Sequence, residues 1–214
     1  MIISADEALL RALERAPLRT LRLREIRRRK IVSNPSMNLA VLMRHGLVTR
    51  ITRGTYTANP DGFDEGEWMP GPELRALAWA AATYGDSEKV ALAGLSAAAH
   101  WVACPRPTAE AWIIVDDPYL AATTTRLDGA VDIHVRDVSF TDYELTVENT
   151  VLGQVHVLSP RQTLADLERV GAGDARVREA IDLLRAQDTL PQSPPEDSRS
   201  ESRNQQQNPM EEVQ

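Results

Sequence analysis

The sequence predicts an α+β protein with an N-terminal winged helix-turn-helix in residues 1–60 and a disordered tail in residues 189–214. Three helical patterns followed by a hairpin pattern indicate the first domain. Helical patterns alternate with short β-branched segments over residues 73–188, which indicates an α+β second domain. The tail has too few apolar side chains to offset the entropy of ordering. Residues 61–72 are rich in proline, glycine and acidic residues and are expected to be a linker.

The first domain is expected to contain three helices. Ser4 begins a capping-box pattern ahead of a stripe of leucines, so a first helix is predicted to end before Pro17. A second, arginine-rich helix is expected over residues 21–30. The third is predicted to begin at Asn34, a favourable N-cap that is followed by proline, and to end at Gly46.

A hairpin is expected to follow the third helix. Residues 47–58 alternate apolar and polar side chains on either side of a turn at Arg53 and Gly54. Three helices followed by such a hairpin are typical of the winged variant of the helix-turn-helix. In that arrangement the third helix lies in the major groove of DNA.

The second domain is predicted from shorter patterns. Apolar periodicity and helix caps indicate helices over residues 73–83, 95–101, 159–170 and 174–187. Segments rich in β-branched residues indicate strands over residues 111–115, 130–135 and 154–157.

Charge divides the chain into two parts. The 214 residues carry a net charge of −7. Residues 1–60, however, contain twelve basic and four acidic side chains, whereas residues 61–214 contain twelve basic and 27 acidic ones. The first domain is therefore strongly positive, which favours double-stranded DNA as its partner because phosphate binding requires lysine and arginine. The acidic part either only maintains solubility or engages a basic protein.

Ten side chains of the first domain are predicted to contact DNA. The second helix is expected to bind phosphates, and the wing is expected to touch the backbone or the minor groove. Periodicity turns Leu39, Leu42 and Met43 of the third helix inward, so that Asn38 and Arg44 face outward as the best base-reading types. The full set is Arg27, Arg28, Arg29, Lys30, Ser36, Asn38, Arg44, Arg50, Thr52 and Arg53.

Two other interpretations of the basic residues remain open. The arginines could form only a solvated helix surface, as charge runs often do. Alternatively, a winged helix could bind protein instead of DNA. The near absence of acidic residues, together with three helices and a wing, favours DNA.

No arrangement of residues predicts an enzyme or a cofactor site. The Gly-Leu-Ser sequence ending at Ser96 resembles the start of a nucleophile elbow but lacks the second glycine. Asp116 and Asp117 are followed by proline, which suggests a turn, and His134 and His156 lack metal-ligand spacing. No phosphate-binding glycine loop is present. We therefore expect no catalytic residue, metal or cofactor.

The protein is expected to be cytoplasmic and to have no membrane partner. No apolar run is long enough to span a bilayer, and the first residues do not have the pattern of a signal peptide. The single cysteine, Cys104, permits no internal disulfide.

Three segments have recognisable patterns: the helix end and wing at residues 46–56, the small-residue segment at residues 91–98, and residues 157–167 with their Ser-Pro, Thr-Leu and Asp-Leu pairs. These segments resemble the AbiEi family, the antitoxins of type IV toxin–antitoxin (abortive infection) systems. Order and spacing agree over residues 1–188, whereas the tail has no counterpart in the family.

The resemblance implies two roles. The N-terminal domain would bind inverted repeats in its own promoter, as a homodimer, and would repress the operon. The antitoxin-type second domain would counteract a nucleotidyltransferase-like toxin. Carried over by position, the DNA-facing residues are Ser36, Asn38, Arg44, Arg50 and Arg53; no toxin-contacting residue can be assigned in this way.

A stand-alone transcriptional regulator, whose second domain dimerises or senses a ligand, is the alternative to the antitoxin. The charge division also suggests that acidic clusters, such as Asp64/Glu65/Glu67 or Asp142/Glu144, engage a basic toxin. A nucleotidyltransferase-like protein encoded immediately downstream would distinguish the two functions.

Overall fold

The computed structural model describes residues 4–63, 68–102, 109–117, 123–127, 131–171 and 173–188. Within these ranges the chain forms seven α-helices and nine strands that assemble into two sheets, which confirms the predicted mixture of helices and sheets. None of the helices found there is long and apolar enough to cross a membrane. The predicted tail, the acidic cluster at residues 64–67 and Cys104 lie outside the described residues.

The N-terminal module combines three helices with a small antiparallel sheet. Its helices are α1 (Ser4–Glu14), α2 (Leu23–Arg28) and α3 (Pro35–Arg44). Its strands are β1 (Thr20–Arg22), β2 (Val48–Thr52) and β3 (Thr55–Ala58), in the order β1-β3-β2. A core of leucine, isoleucine and valine side chains from all three helices and the sheet holds the module together.

Local signals explain where these elements begin and end. The Asn34 side chain accepts a hydrogen bond from the Met37 backbone N–H at 3.3 Å, which caps α3 as the sequence predicts. Gly46 has a φ of 63° after α3, and Gly54 has a φ of 77° in the β2–β3 turn. Glycine adopts this left-handed conformation without steric cost, so both turns follow from the sequence.

Strand β1 was not expected from the sequence. It occupies the start of the segment predicted as the second helix, so α2 covers only Leu23–Arg28. The strand pairs with β3, and the Thr20 and Thr57 hydroxyls are hydrogen-bonded at 2.8 Å. A three-residue strand is too short to show a readable alternation, so only its pairing with β3 defines it.

The second part of the chain is built on a six-stranded mixed sheet. The strand order is β6-β7-β5-β4-β9-β8, in which β4/β9 and β5/β7 are parallel and the other neighbours are antiparallel. The elements are α4 (Pro72–Tyr84), β4 (Val90–Leu92), α5 (Gly94–Trp101), β5 (Glu110–Asp116), β6 (Thr123–Leu127), β7 (Val131–Val138), β8 (Leu145–Thr150), β9 (Gly153–Leu158), α6 (Pro160–Val170) and α7 (Ala175–Asp188).

One hydrophobic cluster is shared by the two parts. Leu18 and Ile51 of the N-terminal module are buried in the same cluster as α4 and the large sheet. Trp68, from the segment predicted as a linker, is only 7% exposed and belongs to this cluster. The Arg75 guanidinium of α4 donates a hydrogen bond to the Ile51 carbonyl at 2.8 Å. Helix α4 therefore packs the N-terminal module directly against the second part.

Candidate nucleic-acid interface

Helix α3 exposes both polar and apolar side chains to solvent. Its buried residues are Pro35, Asn38, Leu39 and Leu42, and its exposed residues are Ser36, Met37, Ala40, Met43 and Arg44. The outward orientation predicted for Ser36 and Arg44 is confirmed. The predicted orientations of Asn38 and Met43 are wrong, because Asn38 is buried and Met43 is exposed.

Asn38 has a structural partner in α1. Its side-chain amide donates a hydrogen bond to Asp6 Oδ1 at 2.7 Å, and the two residues are 5% and 2% exposed. The buried amide therefore joins α3 to the first turn of α1 and cannot reach a base from this position. The apolar periodicity of α3 predicted that Asn38 faces outward. The buried carboxylate that accepts its hydrogen bond, that of Asp6, lies 32 residues away in the sequence.

The densest group of cations lies at the end of α2 and in the two residues that follow it. Arg27, Arg28, Arg29 and Lys30 are all exposed. The Glu25 carboxylate accepts hydrogen bonds from Arg28 at 2.8 Å and from Arg29 at 2.5 Å. These two bonds, led by that of Arg28, hold the pKa of Glu25 below its ordinary value, so the carboxylate remains charged and offsets part of the positive charge.

Two contacts bring the basic helix next to the other predicted DNA-binding elements. The Arg27 guanidinium donates a hydrogen bond to the Ser36 hydroxyl at 3.3 Å, which joins the end of α2 to the start of α3. The Leu23 backbone N–H donates to the Gly54 carbonyl at 2.8 Å, which joins the start of α2 to the β2–β3 turn. The structure thus places helix α2 between the exposed start of α3 and the hairpin.

The hairpin presents two of its three predicted residues to solvent. Arg50 on β2 and Arg53 in the turn are exposed, whereas Thr52 is only 8% exposed. The pairing of β2 with β3 shifts register between Arg50 and Thr52. This irregularity breaks the strand alternation, so Ile51 and Thr52 are both buried in succession. The prediction that Thr52 faces a ligand from the wing is therefore wrong.

Seven exposed cations define what we call the basic surface: Arg27, Arg28, Arg29, Lys30, Arg44, Arg50 and Arg53. Arg44 lies at the far end of α3, about two helical turns from Ser36. In β1, burial lowers the pKa of Arg22 from its ordinary value, and the charge of the neighbouring Arg24 lowers it further. Such a concentration of cations is suited to bind a polyanion.

Two residues considered for catalysis, Ser96 and His134, contact neighbouring residues of the fold. The Ser96 hydroxyl is buried and accepts a hydrogen bond from the Trp112 backbone N–H at 3.0 Å. The His134 ring stacks on Trp112 with their centroids 4.5 Å apart. In the part of the chain that the structure describes, no group of three or more histidine, cysteine, aspartate or glutamate side chains could hold a metal ion.

A buried carboxylate to which the sequence assigned no role, that of Asp166 in the Asp-Leu pattern, lies in α6. Asp166 accepts two hydrogen bonds from Arg136 of β7, at 2.8 and 2.6 Å, and one from Arg169 at 2.9 Å. It also accepts one from the Gly94 backbone N–H at 3.2 Å, at the start of α5. One side chain therefore joins three elements of the second part, and two of its partners, Arg136 and Gly94, come from remote segments of the sequence.

Comparison with known proteins does not assign the chain to a family. No family model matches it, and a search of curated proteins finds no match. Among solved structures, the chain is similar to the RV2827C protein from Mycobacterium tuberculosis, with 16% sequence identity and a TM-score of 0.46. The match covers 85% of this chain and 72% of that one. A similarity this distant carries no argument about function.

Proposed function

We propose that this protein binds double-stranded DNA through a winged helix-turn-helix formed by its N-terminal module. Helices α2 and α3 are the helix-turn-helix, α3 enters the major groove, and the β2–β3 hairpin is the wing. The observation that carries the proposal is the basic surface, in which Arg27 at the end of α2 contacts Ser36 at the exposed start of α3. Phosphates on either side of a groove would contact these cations while α3 reads base edges.

The proposal assigns different tasks to different parts of the basic surface. Arg27 to Lys30, at the end of α2 and directly after it, bind phosphates beside the groove that α3 occupies. Arg50 and Arg53 bind phosphates or the minor groove from the wing. Arg44 is the exposed guanidinium of α3 and is suited to bidentate contact with guanine. Asn38 and Thr52 are not part of this surface because both are buried.

Replacing Arg50 and Arg53 by alanine is expected to weaken binding to the DNA upstream of the gene. Each lost phosphate contact reduces the dependence of log K on log salt by about 0.9, so the double variant should lose about two units of slope. Gel shifts or fluorescence anisotropy at several salt concentrations measure this. Arg161→Ala, which removes an exposed arginine from α6, is the matched control. No binding by the unaltered protein at moderate salt would refute the DNA proposal.

We further propose, from the resemblance to the AbiEi family, that the protein is an antitoxin which represses its own operon. In this role it binds inverted repeats as a homodimer and counteracts a nucleotidyltransferase-like toxin. The segment from Val157 to Leu167, which resembles the family, forms the end of β9 and helix α6. Its Thr163 and Leu167 are buried, so these residues support packing and leave the toxin-contacting surface to be found elsewhere.

Co-expression with the neighbouring gene tests the antitoxin role. We expect the full chain to restore growth to cells that express a toxic nucleotidyltransferase-like neighbour. Growth that is not restored, in cells where DNA binding persists, favours a stand-alone regulator.

A variant in which Asp142 and Glu144 are changed to lysine tests the acidic surface, because both residues are exposed. Full rescue by that variant would exclude this cluster from toxin binding.

A further inference from the structure

The exposed face of α3 is mainly apolar, which the sequence periodicity did not indicate. Met37 is 59% exposed, and Ala40 and Met43 are exposed at successive positions three residues apart further along the helix. Residues three and four positions apart lie next to each other on a helix surface. Met37, Ala40 and Met43 therefore form one apolar strip, which we call the methionine strip.

Burial of Asn38 removes the amide that would have recognised adenine. A side-chain amide can make two hydrogen bonds to an adenine edge, but that of Asn38 is bonded to Asp6 inside the module. The exposed groups of α3 that can still form hydrogen bonds with a base are the Ser36 hydroxyl and the Arg44 guanidinium. The methionine strip lies between them and has no hydrogen-bonding group suited to a base edge.

Charge favours DNA over an apolar protein surface as the partner of this strip. The start of the strip lies next to Arg27, which contacts Ser36, and its end lies next to Arg44. Helix α2 and the two residues after it contain one carboxylate, that of Glu25, which binds Arg28 and Arg29. The same segment has five exposed cations: Arg24, Arg27, Arg28, Arg29 and Lys30. An apolar strip bordered by cations is complementary to a groove floor bordered by phosphates.

The major groove contains one apolar group that distinguishes base pairs, the 5-methyl group of thymine. A small residue lets a helix approach the groove closely, and Ala40 supplies one in the middle of the strip. Methionine is unbranched and adaptable, so it can follow the position of a methyl group. We propose that α3 recognises thymine through its 5-methyl groups, with Met37 and Ala40 as the contacting residues. This inference rests on the proposed DNA-binding function.

Uracil substitution tests the inference with the full-length protein. Uracil pairs like thymine but lacks the 5-methyl group. A footprint on the DNA upstream of the gene defines the bound site, and duplexes of that site are then made with each thymine replaced by uracil. We expect at least one substitution to weaken binding about fourfold, the factor that corresponds to one buried methyl group. The measurement is fluorescence anisotropy at one fixed salt concentration.

A variant assigns the effect to the methionine strip. The comparison uses the uracil duplex that weakens binding most. Met37→Ala should bind the thymine duplex about as weakly as the unaltered protein binds this uracil duplex, and it should no longer distinguish the two. Met69→Ala is the matched control, because Met69 is also highly exposed but lies outside the N-terminal helices. The exposure of Met37 means that its replacement leaves the core intact, which circular dichroism verifies.

Each outcome is informative. A site-specific footprint whose affinity is unchanged by uracil at every position would overturn the thymine inference while the DNA-binding function stands. Retained discrimination in Met37→Ala would remove Met37 from the contact and overturn the assignment. Absence of binding to any duplex by the unaltered protein would overturn the proposed function itself and leave the strip as a protein-docking surface.

Discussion

Replacing Asp166 by alanine is expected to lower the free energy of unfolding by about 3–5 kcal/mol, the range for breaking a buried ion pair. The Asp166 side chain is fully buried and accepts hydrogen bonds from Arg136, Arg169 and the Gly94 backbone. Its removal leaves the largely buried Arg136 guanidinium without its partner. It also leaves the Gly94 N–H without an acceptor, which adds a desolvation cost.

Replacing Asp166 is also expected to affect the packing around Gly94. Gly94 has a φ of 50°, and a Cβ at this position would lie 3.0 Å from the Trp112 ring, so the chain is closely packed where Asp166 holds it. Loss of the carboxylate is therefore expected to loosen the start of α5 against β5. Urea unfolding followed by tryptophan fluorescence would measure the change as a lower midpoint.

Glu168→Ala is the control for this experiment. Glu168 lies two residues away in α6 and pairs with Arg185 at 2.6 Å, but both side chains are well exposed. Exposed pairs contribute about 0–1 kcal/mol, so the control should remain close to the unaltered protein. An Asp166→Ala protein that unfolds at the same urea concentration as Glu168→Ala would contradict the structural role assigned to Asp166.

Reversing three charges at the end of α2 and directly after it should produce the largest loss of DNA binding. Changing Arg27, Arg28 and Lys30 to glutamate replaces three phosphate-binding cations by anions that repel phosphate. We expect affinity to fall by on the order of a hundredfold or more, with a salt dependence reduced by about three units of slope. Fluorescence anisotropy over a range of salt concentrations gives both quantities.

A matched triple variant distinguishes local contacts from total charge. Arg161, Arg178 and Lys89 are exposed in the second part of the chain, so their change to glutamate alters the net charge by the same amount. This control should retain most of the affinity, because exposed charges more than a Debye length from the DNA are screened. Equal losses in both triple variants would mean that the basic surface of the N-terminal module is not the binding site.

Glu25→Gln should raise the affinity for DNA, in contrast to the charge reversals. The Glu25 carboxylate holds Arg28 and Arg29, and its lowered pKa keeps it charged at neutral pH. Removal of this charge releases both guanidinium groups to bind phosphate. Affinity should therefore rise and the salt dependence should steepen by about one unit of slope. Weaker binding by Glu25→Gln would show that the carboxylate positions the arginines for DNA.

Short-range patterns predicted most elements of the fold. Asn34-Pro35 and Ser159-Pro160 begin α3 and α6, and both cap side chains accept the expected backbone hydrogen bond. Strands β4, β6 and β8, like β1, were not predicted. The strands at β1 and β4 are three residues each and show no alternation, so their pairing with distant strands defines them.

The sequence by itself determined the mixed α+β class, most helix limits and the concentration of positive charge in the first 60 residues. Caps, periodicity and charge are local properties, so they can be identified from the sequence without knowledge of the fold. Only the tertiary structure decided which side chains of α3 face solvent. A register shift in the pairing of β2 with β3 buries Thr52. Asn38 is buried because its amide is hydrogen-bonded to Asp6, which lies 32 residues away, and a buried polar group requires such a partner. The same long-range packing joins Trp68 to the core and leaves Met37 on the surface that we propose contacts DNA.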